Sequence, residues 1–217
     1  MMILYDTLRS GNAWKARLMA SYLGIGLTRR TLSIDRGDLA QPEFLAAAPM
    51  GHVPVLRLPD GTHLAESIAI LHYLAHGTAW WPGERVAQAQ VLSWLGFEQD
   101  RHMMPLAQLR LRLALHKTGD AQAQPLLGYA ASARQALGVL DLQLQRQGET
   151  GWVATSDHPS IADVALYPYT RMAPMGGIDL QPYSFIQAWL KRLENWPGYQ
   201  PLFPGHPERN LSTDERP

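Results

Sequence analysis

The chain has 217 residues, of which 46% are apolar, and its 19 basic side chains balance 19 acidic ones, so neither nucleic acid nor an anionic membrane surface is an expected partner. Cysteine is absent, which excludes disulfides, a protein thiol nucleophile and thiolate metal ligands. No apolar run is long enough to span a bilayer and no secretory signal is visible, so we expect a soluble, cytoplasmic protein.

The first 77 residues alternate between strand-like and helix-like patterns. Met2–Tyr5 and Leu27–Ile34 are typical of strands, and a helical pattern between them, Asn12–Leu23, predicts that they pair in parallel. A short helix is predicted over Pro42–Ala47, with proline near its start. Two further strands and a helix follow, namely Val55–Leu58, Thr62–Leu64 after an Asp-Gly turn, and Ser67–Ala75. This order predicts a mixed sheet covered by helices, an α/β domain over residues 1–77.

After Gly77 the strand pattern disappears. Residues 78–88 contain breakers and aromatic residues and are predicted to form a linker, and residues 89–203 an all-helical domain. The helical patterns cover approximately Arg85–His116, Gln124–Gln147, Ile161–Met172 and Tyr183–Asn195. Ser160 and Asp163 have the spacing of a capping box at a helix start. The polar residues 204–217 are predicted to be a frayed tail.

The first candidate site is the turn between the first strand and the first helix, where Ser10 precedes the helical pattern. The first N–H groups of a helix lack partners within the helix, and the helix dipole is positive there. A hydroxyl beside those donors suits the binding of an anion or a thiolate.

The second candidate is Val53-Pro54, at the start of the predicted hairpin. A cis bond would turn the N–H and C=O of Val53 outward, where an extended peptide ligand can pair with them. An ordinary trans proline at the start of an edge strand is the alternative, and the residues alone favour it, because cis bonds make up only about 5% of X–Pro bonds.

The third candidate is Glu66-Ser67, between a strand and a helix. Ser67 is expected to cap the helix, and its hydroxyl with the neighbouring N–H groups can hold a ligand carboxylate. Glu66 can pair with a ligand ammonium, so the two residues match the end of an α-amino acid. A plain helix cap with an acidic neighbour is the structural alternative.

Together these elements resemble the glutathione S-transferase family over nearly the whole chain. Residues 9–17 resemble the zeta-class turn Arg-Ser-Ser-Cys-Ser-Trp-Arg-Val-Arg, and more closely the bacterial form Ser-Gly-Asn-Cys-Tyr-Lys-Val-Arg. Val53-Pro54 is similar to the cis-proline signature of the family, and Glu66-Ser67 to its γ-glutamyl site. Residues 160–167 resemble the family's capping-box segment, and residues 94–112 the helical domain of the bacterial members.

The resemblance implies a thioredoxin-like N-terminal domain, an all-α C-terminal domain, a homodimer and a role in detoxification. It implies glutathione as co-substrate, no metal, and a small hydrophobic electrophile as second substrate. The resemblance implies that Ser10 activates the thiol of glutathione and that Val53, before the cis Pro54, forms main-chain hydrogen bonds with the cysteinyl residue. It also implies that Glu66 and Ser67 hold the γ-glutamyl end. His52 can contact the glycyl end or face solvent. A glutathione-binding or assembly protein without turnover, or a glutathione-dependent peroxidase or isomerase, is the alternative.

Several positions depart from the family pattern or leave a choice open. Asn12 and Ala13 replace Cys and Ser, which argues against a zeta-type isomerase; Asn12 is either a second donor to sulfur or the helix cap. Tyr5, at the end of the first strand, is an alternative thiol activator. Asp100 stands where bacterial relatives carry Tyr, which predicts an altered electrophile site.

Two further expectations concern other polar residues. Arg110 and Arg112 are expected on a solvated or interface face of the helical part. His72 and His76 are four residues apart on a helix, but no third metal ligand is evident.

Overall fold

The computed structural model describes residues 1–202, so residue 203 and the predicted tail lie outside the described residues. Its four strands, in sheet order β2-β1-β3-β4, are β1 Met2–Asp6, β2 Leu27–Thr31, β3 Val55–Arg57 and β4 His63–Ala65. β1 and β2 are parallel as predicted, and the other neighbours are antiparallel. β2 ends earlier than predicted, because the N–H of Ser33 donates to the Asp38 carboxylate at 2.8 Å and turns the chain out of the sheet.

Three helices belong to this first half: α1 Gly11–Tyr22, α2 Pro42–Ala47 and α3 Ser67–Ala75. From Arg85 to residue 202 the described chain has no strand, and its α-helices are α4 Arg85–Phe97, α5 Met103–Leu109, α6 Leu126–Gln147, α7 Ile161–Arg171 and α8 Ser184–Glu194. The predicted fold class, a thioredoxin-like α/β part followed by an all-helical part, is confirmed. The domain boundaries at residues 77 and 88 stay predictions. No helix within residues 1–202 is both long enough and apolar enough to cross a membrane.

The helix predicted over Arg85–His116 is interrupted by two wider, π-helical turns, Glu98–His102 and Arg110–Leu115. Pro105, in the first turn of α5, has no N–H to donate to the carbonyl of Arg101, so one hydrogen bond is missing where the first wide turn meets α5. The wide turns change which side chains face inward. Glu98, His102 and Arg110 are buried as a result.

Helix α1 is buried on nearly all sides, between the sheet and helices α3 and α7. Even its charged residues lie inside: the side chain of Lys15 is completely buried and that of Arg17 is 8% exposed. Burial of a charge requires a partner. Arg17 donates to Asp6 of β1 at 2.9 Å, and Lys15 donates to Glu98 at 2.7 Å.

The Lys15–Glu98 pair joins the two halves of the protein, because Lys15 lies on α1 and Glu98 on the wide turn after α4. Both side chains have no solvent exposure. Burial lowers the pKa of Lys15, and the negative charge of Glu98 opposes that shift. The second carboxylate oxygen of Glu98 accepts from the Gln99 amide at 2.6 Å, so both oxygens have partners.

Glu98→Gln leaves the Lys15 ammonium buried without its counter-ion. We expect the free energy of unfolding to fall by about 3–5 kcal/mol, the usual cost of breaking a buried pair. Urea denaturation measures this free energy. Asp100→Asn serves as control, because the Asp100–Arg101 pair lies close to Glu98 in the chain and is about three-quarters exposed. A loss as small as the control's would contradict the prediction.

Candidate functional site

Ser10 is the N-cap of α1, and its hydroxyl oxygen accepts from the Ala13 N–H at 3.1 Å. A hydroxyl has one hydrogen to donate and two lone pairs to accept with. The capping bond uses a lone pair, fixes the side chain at the positive end of the helix and leaves the O–H free to donate. This position can therefore stabilise an anion that approaches the start of α1.

The Val53–Pro54 peptide bond is cis. The cis bond that the resemblance implied is therefore confirmed, and the trans bond that the residues alone favoured is wrong. Among the described residues, neither the N–H nor the C=O of Val53 forms a hydrogen bond. Both groups can pair with an extended peptide.

Glu66 precedes α3 with a φ of 67°, an uncommon conformation for a residue with a side chain. Backbone of this kind is often found at binding sites, where it re-aims a side chain. The Glu66 side chain is exposed, whereas Ser67 is only 3% exposed. The expected capping by Ser67 is wrong, because Ser67 is the first residue of the helix and follows the N-cap. Its hydroxyl therefore stays available to a ligand.

Two adjoining cavities contain these residues. The Glu66 cavity, of about 240 Å³, is lined by Asn12, Ala48, Met50, His52, Val53, Pro54, Ala65, Glu66, Ser67, Gln99 and Met103. The Ser10 cavity, of about 340 Å³, is lined by Thr7, Arg9, Ser10, Gly11, Ile34, Leu39, His52, Val53, Ala107, Gln108, Arg110, Leu111, Leu115, His116 and Tyr169. His52 and Val53 line both cavities, so one ligand can extend from Glu66 to Ser10.

One sequence-predicted role needs correction, the capping by Asn12, and two further residues, Tyr5 and Asp100, lie away from the two cavities. Tyr5 lines neither of the two cavities and packs against Phe44, at 6.0 Å between ring centroids, so the structure does not bring this alternative thiol activator to the site. Asn12 does not cap α1, because Ser10 does. Its Oδ1 is buried and has no hydrogen-bond partner within residues 1–202, and Asn12 lines the Glu66 cavity. Asp100 lies outside both cavities, with a side chain 74% exposed.

Tyr169 of α7 is a site residue that the sequence analysis missed. Its ring lines the Ser10 cavity, and a Cβ at Gly11 would come within 2.9 Å of it, so α1 and α7 can approach this closely only at a glycine. Burial raises the pKa of Tyr169 to about 12, which keeps the phenol protonated at neutral pH. No local pattern indicates this role, because Tyr169 is far from Ser10 along the chain.

Arg110 corrects a further expectation. It is only 5% exposed, not solvated, and its Nη1 donates to the carbonyl of Arg9 at 2.9 Å. Burial lowers its pKa to about 10, so the guanidinium still carries its charge at pH 7. Arg112, two residues further on, is exposed as expected.

His102 lies in the interior behind the site, completely buried. Its Nε2 is 2.8 Å from the Thr170 hydroxyl oxygen, which itself donates to the Leu166 carbonyl, so Nε2 carries the proton. Burial, together with the nearby Lys15 charge, lowers the pKa of His102 to about 3. The imidazole is therefore neutral at physiological pH.

The residues 1–202 contain no group of three or more His, Cys, Asp or Glu side chains arranged to hold a metal ion. His72 and His76 have ring centroids 6.0 Å apart and are exposed.

Residues 9–76 match the sequence profile described as glutathione S-transferase, N-terminal domain. Among solved structures, a glutathione S-transferase from Pseudomonas fluorescens is 38% identical, with a TM-score of 0.88 over 93% of this chain and 98% of that one. The match extends through the helical half, which the N-terminal profile does not describe.

Sequence relatives carry different functional names. A maleylacetoacetate isomerase from Pseudomonas aeruginosa is 26% identical over 98% of this chain and 99% of its own length. Elongation factor 1-gamma-B from Xenopus laevis is 30% identical over 81% of this chain, which spans only 37% of the elongation factor. The names of relatives therefore do not select one activity.

The pKa of His102 generates a pH-dependent prediction. The unfolded chain binds the His102 proton with an ordinary pKa near 6.5, whereas the folded state binds it only near pH 3. The contribution of neutral His102 to the free energy of unfolding is therefore fully present above about pH 6.5. It is lost as the pH is lowered, by about 1.4 kcal/mol per pH unit. Between pH 7 and pH 5 this residue alone removes about 2 kcal/mol.

We expect the free energy of unfolding of His102→Gln to fall by about 2 kcal/mol less than that of the wild type between pH 7 and pH 5. Urea denaturation at each pH measures both values. His76→Gln, at an exposed position, serves as control and keeps the wild-type acid sensitivity. Equal acid sensitivity in all three proteins would show that His102 does not stay neutral inside the fold.

Proposed function

The chain belongs to the glutathione S-transferase family, and from this premise we propose that it binds glutathione and stabilises the thiolate for attack on a small hydrophobic electrophile. The observation that carries the proposal is the Ser10 hydroxyl, fixed at the positive end of α1 with its hydrogen free, on the wall of a partly apolar cavity. Family membership supports glutathione binding and a transferase-like activity. The thiolate mechanism and the type of electrophile are our proposal.

In this proposal the tripeptide lies across both cavities. Glu66 accepts from the γ-glutamyl ammonium, and the Ser67 hydroxyl with the N–H groups at the start of α3 holds the α-carboxylate. The free N–H and C=O of Val53 pair with the cysteinyl residue. His52 stands beside the glycyl end, and Asn12 offers its unpartnered Oδ1 to the glutamyl side.

In this proposal, Ser10 and the helix end supply free energy of the size that is needed to ionise the thiol at neutral pH. A thiol with an ordinary pKa of about 8.5 needs about 2.7 kcal/mol of preference for the thiolate to shift by two units. A hydrogen bond to a charged group contributes about 1.5–3 kcal/mol, and a helix N-terminus about 0.3–1 kcal/mol. The proton leaves to water, so no general base is required.

The thiolate then attacks the electrophile in the Ser10 cavity. A sulfur–carbon bond forms, and either a halide leaves with its electron pair or a conjugated carbonyl accepts the electrons and takes a proton from water. A mixed disulfide with the protein cannot form, because the chain has no cysteine. The missing cysteine ranks reduction of peroxides or disulfides below conjugation.

The wider setting follows from the family and is part of the proposal. We expect a homodimer in the cytoplasm with a role in detoxification. Met104 and Val139 support a dimer, because they remain 45% exposed on the wall of one surface cavity of the helical half.

A glutathione-binding or assembly protein without turnover is the second candidate. The sequence match with elongation factor 1-gamma-B supports this second candidate function. It predicts glutathione binding with a thiol that ionises as it does in free solution.

Ser10→Ala removes the proposed donor to sulfur. We expect the pKa of bound glutathione, followed by ultraviolet absorbance of the thiolate, to rise by about one to two units, with kcat/KM at pH 7 falling roughly tenfold or more. The lost helix cap also lowers the free energy of unfolding by about 1 kcal/mol.

Ser160→Ala separates the two effects, because Ser160 caps α7 and lines neither cavity. It should lower stability and leave the thiol pKa unchanged. If glutathione bound to the wild-type protein titrates as in buffer, the transferase proposal fails and the second candidate replaces it.

Glu66→Gln removes the proposed partner of the γ-glutamyl ammonium. We expect the wild type to bind glutathione roughly tenfold more tightly than an analogue without the amino group, and the variant to lose this preference. Calorimetric titration measures both affinities. Glu43→Gln, an exposed carboxylate paired with Arg30 outside both cavities, keeps the preference; its loss in both variants would contradict the assignment.

A further inference from the structure

Arg110 is the charged group whose role the proposed reaction leaves open. Its guanidinium is buried, and within residues 1–202 only its Nη1 has a hydrogen-bond partner, the carbonyl of Arg9. Nε and Nη2 are buried and have no hydrogen-bond partner among the described residues. Buried donors of a charged group are costly to leave unpaired, by more than the roughly 1–3 kcal/mol of a neutral group.

The two unpartnered nitrogens form one edge of the planar guanidinium. Nε–H and an Nη2–H point the same way along this edge, which is the geometry that binds a carboxylate through two parallel hydrogen bonds. The bond from Nη1 to Arg9 fixes the plane from the other side.

Arg110 belongs to the Ser10 cavity and not to the Glu66 cavity. The charged side chains on the wall of the Ser10 cavity are those of Arg9 and Arg110. The imidazoles of His52 and His116 line the same cavity, and no acidic residue is among its described lining residues. Arg9 is already paired with Asp35, at 3.3 Å. The Glu66 cavity instead contains a carboxylate, so the two cavities differ in the charge that they accept.

We propose that the electrophile of this protein carries a carboxylate, and that Arg110 binds this carboxylate side-on through Nε and Nη2. This inference rests on the proposed function, since it concerns the second substrate of the same site. Apolar residues of the wall, among them Leu111 and Leu115, contact the carbon skeleton. Because the two nitrogens are covered, binding includes a small movement of the cavity wall.

Unreactive conjugates test the proposal without turnover. The probes are S-(4-carboxybenzyl)glutathione and S-carboxymethylglutathione, which carry the carboxylate at two distances from sulfur, each compared with its neutral amide. We expect the wild type to bind the acid at least tenfold more tightly than the amide for one of the two lengths. Calorimetric titration gives the dissociation constants.

Arg110→Gln should abolish the preference for the acid, and Arg110→Lys should retain a weaker preference, because lysine keeps the charge but loses the two-pronged geometry. Arg112→Gln is the matched control on the same turn, exposed and outside the cavity, and should keep the wild-type preference. S-methylglutathione should bind equally well to all four proteins, which shows that the variants are folded and bind the tripeptide.

The possible failures are distinguishable. A wild type that binds acids and amides equally at both lengths overturns the role of Arg110 and leaves the proposed function intact. An Arg110→Gln variant that weakens acid, amide and S-methylglutathione alike shows that Arg110 only holds the Arg9 carbonyl, and this too overturns the inference. No binding of S-methylglutathione to the wild type overturns the proposed function and the inference together.

Discussion

The burial of helix α1 is the constraint on which the rest of the structure depends. A helix enclosed on nearly all sides leaves Lys15 and Arg17 without a solvated face, so both need partners inside the protein. Arg17 finds Asp6 in the sheet, and Lys15 finds Glu98 in the helical half. Both halves are therefore fixed against the same helix, and the start of that helix is held beside the cavities.

The backbone at Ser10, Val53 and Glu66 leaves polar groups available to a ligand near the start of α1. Ser10 caps α1 with its oxygen and keeps its hydrogen free, and Glu66 precedes α3 in a strained conformation. Beside the cis proline, the N–H and C=O of Val53 have no hydrogen-bond partner in the part of the chain that the structure describes. Each feature leaves polar groups available that ordinary secondary structure would have paired. The three features surround adjoining cavities, so a tripeptide can meet all of them at once.

Charge divides the site into two regions. Glu66 makes one cavity suited to an ammonium group, whereas Arg110 and Arg9 make the other suited to anions. A thiolate and an anionic electrophile would both be favoured beside Arg110, in a setting where partial burial strengthens electrostatic attraction. Under the proposed function, this division of charge would orient the tripeptide and the electrophile, and the chain itself supplies no cysteine for the chemistry.

The sequence by itself determined the local features: the strand and helix order, the capping box at Ser160 and Asp163, and the positions of Ser10, Val53-Pro54 and Glu66-Ser67. These follow from short-range rules on capping, turns and periodicity. The packing of Tyr5 against Phe44 and the burial of Arg110 against the Arg9 carbonyl depended on contacts between residues far apart in the chain, whereas the capping of α1 by Ser10 is a local bond. For Arg110 only the tertiary structure could decide, because a helical period does not show which face is covered when a helix changes its pitch at a wide turn.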